Sequence, residues 1–138
     1  MRAIKFRGKD IKTGEWLYGN IQVPAKEGVG YFMWDCDHFQ KEVIPDTVGQ
    51  FTGLTDKNGK EIYEGDIVRT KHFGKELDRN GYFVNVSGYD VFEIKYINAQ
   101  FMFNNRLRYF YLHRNTICEV IGNIHDNPEL LQGKNKKQ

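Results

Sequence analysis

Apolar and polar residues alternate with a period of two along most of the chain. Nearly every apolar stretch runs four to eight residues before Gly, Asn or Asp closes it. That is the pattern of half-buried strands, and helical spacing is scarce. Ile4 and Phe6 open one strand, and Asp10–Gly14 reads as a turn into a second and longer strand over 15–23. Pro24–Gly30 interrupts the pattern, Tyr31–Trp34 predicts a third strand, and Asp35–His38 is short, polar and exposed. Asn58-Gly59 is a strong turn signal because both residues accept positive φ, and Gly65-Asp66 turns the chain into a strand over Ile67–Thr70. Lys71–Gly88 has few aligned apolar residues and reads as a long loop or irregular hairpin. In Asp90–Ile97, by contrast, Phe92, Ile94 and Tyr96 share one face and Glu93 and Lys95 the other. Asn98-Ala99 turns that strand, Gln100–Phe103, Leu107–Leu112 and Cys118–Ile124 are further strands, and Asn127 caps a helical turn begun by Pro128.

These elements predict a mainly β fold in one domain over residues 1–132, with an N-terminal β-layer in 1–43 and a polar, disordered tail in 133–138. Composition agrees: 40% hydrophobic and 14% aromatic residues are too many for a disordered chain. No apolar run approaches the ~18 residues of a bilayer span, and the first residues lack the apolar core of a signal peptide, so a cytoplasmic protein without membrane contact is expected. Charge is unevenly spread: residues 42–68 carry two positive and six negative side chains, whereas 69–138 carry eleven and seven.

The stretch Thr47-Val-Gly-Gln-Phe-Thr-Gly-Leu-Thr-Asp-Lys-Asn-Gly-Lys-Glu-Ile-Tyr-Glu-Gly-Asp-Ile-Val68 resembles the hallmark of the YopX family of phage and prophage proteins. Ile4-Lys-Phe-Arg7 with Trp16 and Tyr18 is similar to the family's opening, and Glu119–Ile124 with Asn127–Leu131 to its close. The resemblance implies an SH3-type barrel within 44–132 and a bacterial host cytoplasm. It implies no reaction, since fold analogy cannot supply one.

Candidate chemistry is sparse. Asp56–Gly59 with Glu61 and Glu64 resembles a calcium loop, but placing Gly59 at the sixth position puts Leu54 and Gly65 where the first ligand and the bidentate Glu belong, so a hairpin turn is the reading. Asp35, Cys36, Asp37 and His38 are adjacent on an extended chain and cannot all reach one ion. His72, His113 and His125 lack paired spacing, and no metal or other cofactor is expected. Cys36 and Cys118 are too far apart to suggest a disulfide framework, and Ser87, the only serine, has no nucleophile elbow. Glu61, Glu64 and Asp66 are the catalytic candidates, as paired acids whose pKa values can be pushed apart; turn carboxylates binding backbone donors are the simpler reading. Arg106, Arg108, Tyr109, Tyr111 and Arg114 mix cations with rings as a single-strand nucleic-acid surface does, although a pI of 8.5 falls short of a dedicated binder. The sequence therefore predicts an interaction module for a protein or nucleic-acid partner, with homo-oligomers through an edge strand, ahead of a carboxylate-based, metal-assisted hydrolase or nuclease.

Overall fold

The computed structural model describes residues 4–34, 37, 39–105, 109–112 and 117–132, with the backbone alone at 72–74, 86, 109 and 110. Twelve strands form three antiparallel sheets, and one short helix, α1 (Glu129–Gln132), follows them. The first sheet has the order β2 (Trp16–Gly19), β1 (Phe6–Lys9), β6 (Gly49–Thr55), β7 (Glu61–Tyr63). A small sheet contains β3 (Ile21–Gln22), β4 (Tyr31–Trp34) and β5 (Gln40–Val43). The largest runs β11 (Tyr109–Tyr111), β10 (Gln100–Asn104), β9 (Phe83–Ile97), β8 (Asp66–Leu77), β12 (Cys118–Asn123). Among the described residues no helix is long and apolar enough to cross a membrane.

Two expectations change. The strand expected over 15–23 breaks after Gly19, which takes a φ of 145°, so the chain leaves the first sheet as β2 and enters the small sheet as β3. The barrel is an open sheet: among the described residues nothing closes β11 onto β12, and β8 and β9 instead extend together as a ribbon from Lys71↔Tyr89 to Leu77↔Phe83. Asp78 closes the ribbon's tip, its Oδ1 accepting from the N–H of Asn80 and Tyr82 at 2.9 and 3.0 Å.

The core lies where the first sheet meets the largest one. Ile62 from β7 joins Val68, Phe92, Ile94, Phe103 and Cys118, each at most 2% exposed. Phe92 and Phe103 meet edge to face, 5.6 Å between centroids at 66°, the arrangement their ring quadrupoles favour. Tyr96, on the same strand face, is 50% exposed because it lies beyond this cluster. A second contact seats β1 on the small sheet. A Cβ on Gly8 would meet Val43 Cβ at 3.2 Å and Met33 Sδ at 3.4 Å, so glycine allows the two layers to approach.

Turns obey their chemistry with one exception. Asn98 and Ala99 form the two-residue connection of β9 to β10 with φ of 52° and 66°. A turn with both residues at positive φ favours glycine in the second position, and alanine there is strained. Ala99→Gly is expected to stabilise the chain by about 0.5–1 kcal/mol, relief of strain exceeding the added unfolded-state freedom; urea denaturation would register it as a higher midpoint at unchanged slope. At the other end, Asn127 does not cap α1. Its Oδ1 accepts from the Asn123 N–H at 3.3 Å, tying α1 back to β12.

Candidate functional site

Gly65 is where the elements converge. At φ 93° it turns β7 into β8, donates its N–H to Ile94 O at 2.8 Å and accepts from Ile124 N–H at 2.9 Å, bringing β9 and β12 to the same point. The next residue, Asp66, is 2% exposed and cannot keep a buried charge without partners. Its Oδ1 meets Arg7 Nη1 at 2.8 Å, and its Oδ2 accepts from the Tyr63 N–H at 2.8 Å. Burial pushes the carboxyl above its ordinary value, with the guanidinium and the N–H pulling the other way.

Arg7 extends from β1 into the same interior. Its guanidinium carbon lies 4.6 Å from the Trp16 ring and 5.1 Å from the Tyr63 ring, and Nη2 reaches Glu64 O at 3.4 Å. Nε is buried without a hydrogen-bond partner. This arginine thus pins β1 of the first sheet to the start of β8, which makes it a structural cation. Around it Tyr63 packs on Tyr18 and Phe51, and its hydroxyl donates to Glu61 Oε1 at 3.0 Å. Glu61 also meets Lys5 Nζ at 2.6 Å, and that ion pair, outweighing the opposing effect of burial, holds its carboxyl below the usual range.

On the other side of Trp16, the indole N–H donates to Asp126 Oδ2 at 2.9 Å while Lys9 pairs with Oδ1. Lys9 first, then Trp16, hold the Asp126 pKa down to about 2. A depressed carboxylate stabilises the fold above its unfolded pKa, about 3.9, and that contribution disappears as pH falls through about 2. Asp126→Asn is therefore expected to lower the thermal midpoint at neutral pH by a small, salt-sensitive amount, with the difference vanishing toward pH 2.

A cavity of about 220 Å³ opens beside Gly65, lined by Asp46, Glu64, Glu93, Lys95, Tyr96 and His125 among others. Burial raises the Glu93 pKa, Lys95 opposes the rise and Glu64 adds to it. His125 is lowered, chiefly by burial and then by Arg7 and Lys9. The three catalytic candidates do not share one pocket: Asp66 is paired inward with Arg7, Glu61 is held by Lys5 and Tyr63, and only Glu64 lines the cavity. Among the described residues no group of three or more His, Cys, Asp or Glu is arranged to hold a metal ion.

Asp56 is the hairpin residue the sequence reading favoured. Its Oδ1 accepts from the N–H of Asn58 and Lys60 at 2.8 and 2.9 Å, and its Oδ2 from Val120 N–H at 2.9 Å. Cys118 is a buried free thiol raised to about 11, mainly by burial, so it stays protonated at neutral pH and is no nucleophile. Arg106, Arg108, Arg114, His113, Asp35, Cys36 and His38 lie outside the described residues. Tyr109 contributes backbone to β11, and Tyr111 in the same strand is exposed. Arg7, Glu93 and Asp46 were not singled out as site residues from sequence; a buried Asp66 demands a cation, but nothing local identifies which one.

Fold and site together define a mainly β protein whose densest polar cluster is a structural ion pair beside a small acidic cavity. The chain belongs to the YopX protein family, whose family model matches residues 5–132. Its structure is similar to that of protein EF1440 from Enterococcus faecalis, at 25% identity over 95% of this chain and 99% of that one, with a TM-score of 0.49. No curated protein matches the sequence.

Proposed function

We propose that this protein is a non-enzymatic interaction module whose partner-binding element is the β8–β9 ribbon. The observation that supports this is the ribbon's uncovered apolar surface: Leu77, Tyr82, Phe83, Val84 and Tyr89 are 40–71% exposed. Aromatic and aliphatic side chains in such a contiguous patch mark interaction surfaces. The partner is a protein rather than a nucleic acid, because Lys71, Lys75 and Arg79 along the ribbon are balanced by Glu76, Asp78 and Asp90, whereas phosphate recognition needs net positive charge. A photo-crosslinking residue placed at Phe83 should give one discrete protein adduct in bacterial cells, absent when the same residue replaces exposed Tyr111. Identical adduct patterns at both positions would overturn the reading.

A hydrolytic role is the second reading, and Glu64 and Glu93 across the cavity favour it, because a raised carboxyl beside another acid is the arrangement of acid–base catalysis. It requires turnover of a phosphodiester or ester substrate that falls by orders of magnitude in Glu93→Gln. Equal turnover in that variant would sink it.

A further inference from the structure

The two edges of the ribbon differ in how they are guarded. The β8 edge, 71–77, carries Lys71, Lys75 and Glu76, the charges by which exposed edges repel unwanted strands. The outer edge of β9 carries none: Phe83-Val-Asn-Val-Ser-Gly-Tyr89 is an uncharged run without proline, rich in β-branched and aromatic residues. β10 pairs with β9 only from Glu93 onward, and Asn105 reaches back no farther than Val91 O, so among the described residues no strand covers 83–89. Seven such residues left open form a template for another strand.

We propose that this edge takes a second copy of the same chain, as an antiparallel strand across a two-fold axis at Val86. The inference rests on the module reading and names its partner. A two-fold axis there matches Phe83 with Tyr89, Val84 with Gly88 and Asn85 with Ser87, each pair occurring twice. Aromatic residues then face each other at both ends, no charge lies opposite another, and an aromatic or β-branched partner is what a strand edge of this composition favours. Antiparallel self-pairing is isologous and closes at two copies. Geometry permits it, because the partner's strand continues the row of β10 along β9 while the partner's body lies past the ribbon tip. The exposed parts of Leu77, Tyr82, Phe83, Val84 and Tyr89 amount to roughly 500 Å² per chain, so two copies present about the 1,000 Å² that a specific interface requires.

Sedimentation velocity across micromolar to high-micromolar protein tests the inference directly. The wild-type chain is expected to reach twice the monomer mass. Asn85→Lys combined with Ser87→Lys sets two like-charge pairs across the axis and should weaken the dimer by about tenfold or more. Asn85→Lys combined with Ser87→Glu replaces each repulsion with an attraction and should keep it. Both double variants place the new lysine opposite Lys75 of β8, so any cost to folding is shared and equal thermal midpoints confirm it. A wild-type chain that stays monomeric overturns self-pairing, and the crosslinking at Phe83 then decides the module reading separately. A dimer indifferent to both double variants overturns the proposal as well.

Discussion

Asp66→Asn is expected to destabilise the chain by about 3–5 kcal/mol. Asparagine keeps an acceptor for the Tyr63 N–H but leaves the Arg7 guanidinium, 6% exposed, without its counter-charge. Arginine cannot shed its proton to escape, so the penalty should be constant from about pH 5 to pH 8. Arg7→Met is the informative contrast, since it leaves a carboxyl that can become neutral. Burial already raises the Asp66 pKa, and removing the cation raises it further. A carboxyl whose folded pKa lies above its unfolded value binds more protons when folded, so stability falls as pH rises between the two. The Arg7→Met penalty should therefore be small near the unfolded value and grow toward pH 8. Combining the two substitutions should cost less than their sum, because neither leaves a buried charge. Urea midpoints of the three variants at two pH values check all of this. An Asp66→Asn penalty under about 1 kcal/mol would show that the pair is not what joins β1 to β8.

That ion pair also shows where reading the sequence stops. Turns were legible because their chemistry is local: Asn58-Gly59, Gly65 and Asn98-Ala99 all occur where positive φ is needed, and Gly59, Gly65, Asn98 and Ala99 adopt it. The alternation of Phe92 and Ile94 was legible because one face of the strand meets a core. Lys71–Gly88 was ambiguous for the opposite reason. Residues such as Leu77, Phe83 and Tyr89 are exposed along the ribbon, and a strand with solvent on both faces has no reason to alternate. Within the site, the Asp56 turn could be reasoned out because its amide donors from Asn58 and Lys60 lie a few residues away. Pairing Arg7 with Asp66, or Glu64 with Glu93, depends on how sheets stack, and no spacing in the chain encodes it. The barrel expectation failed on the same ground, since closure depends on which edges meet.

Phe92→Ala and Phe83→Ala should behave as if they belonged to different proteins, although both lie in β9. Phe92 is fully buried against Phe103, and its truncation removes a large apolar contact and leaves a cavity, an expected loss of about 3–5 kcal/mol. Phe83 is 71% exposed, so its truncation should change stability by less than about 0.5 kcal/mol. Equilibrium urea denaturation of the isolated chain at low concentration, where any self-association is absent, separates the two. A Phe83→Ala loss comparable to that of Phe92→Ala would mean that the ribbon folds back onto the body in solution. With the expected contrast, the ribbon contributes little to the stability of the chain that carries it. Nothing in the fold then requires Leu77, Tyr82, Phe83, Val84 or Tyr89 to be apolar, and exposed apolar residues that do not stabilise their own chain are explained by what they bind.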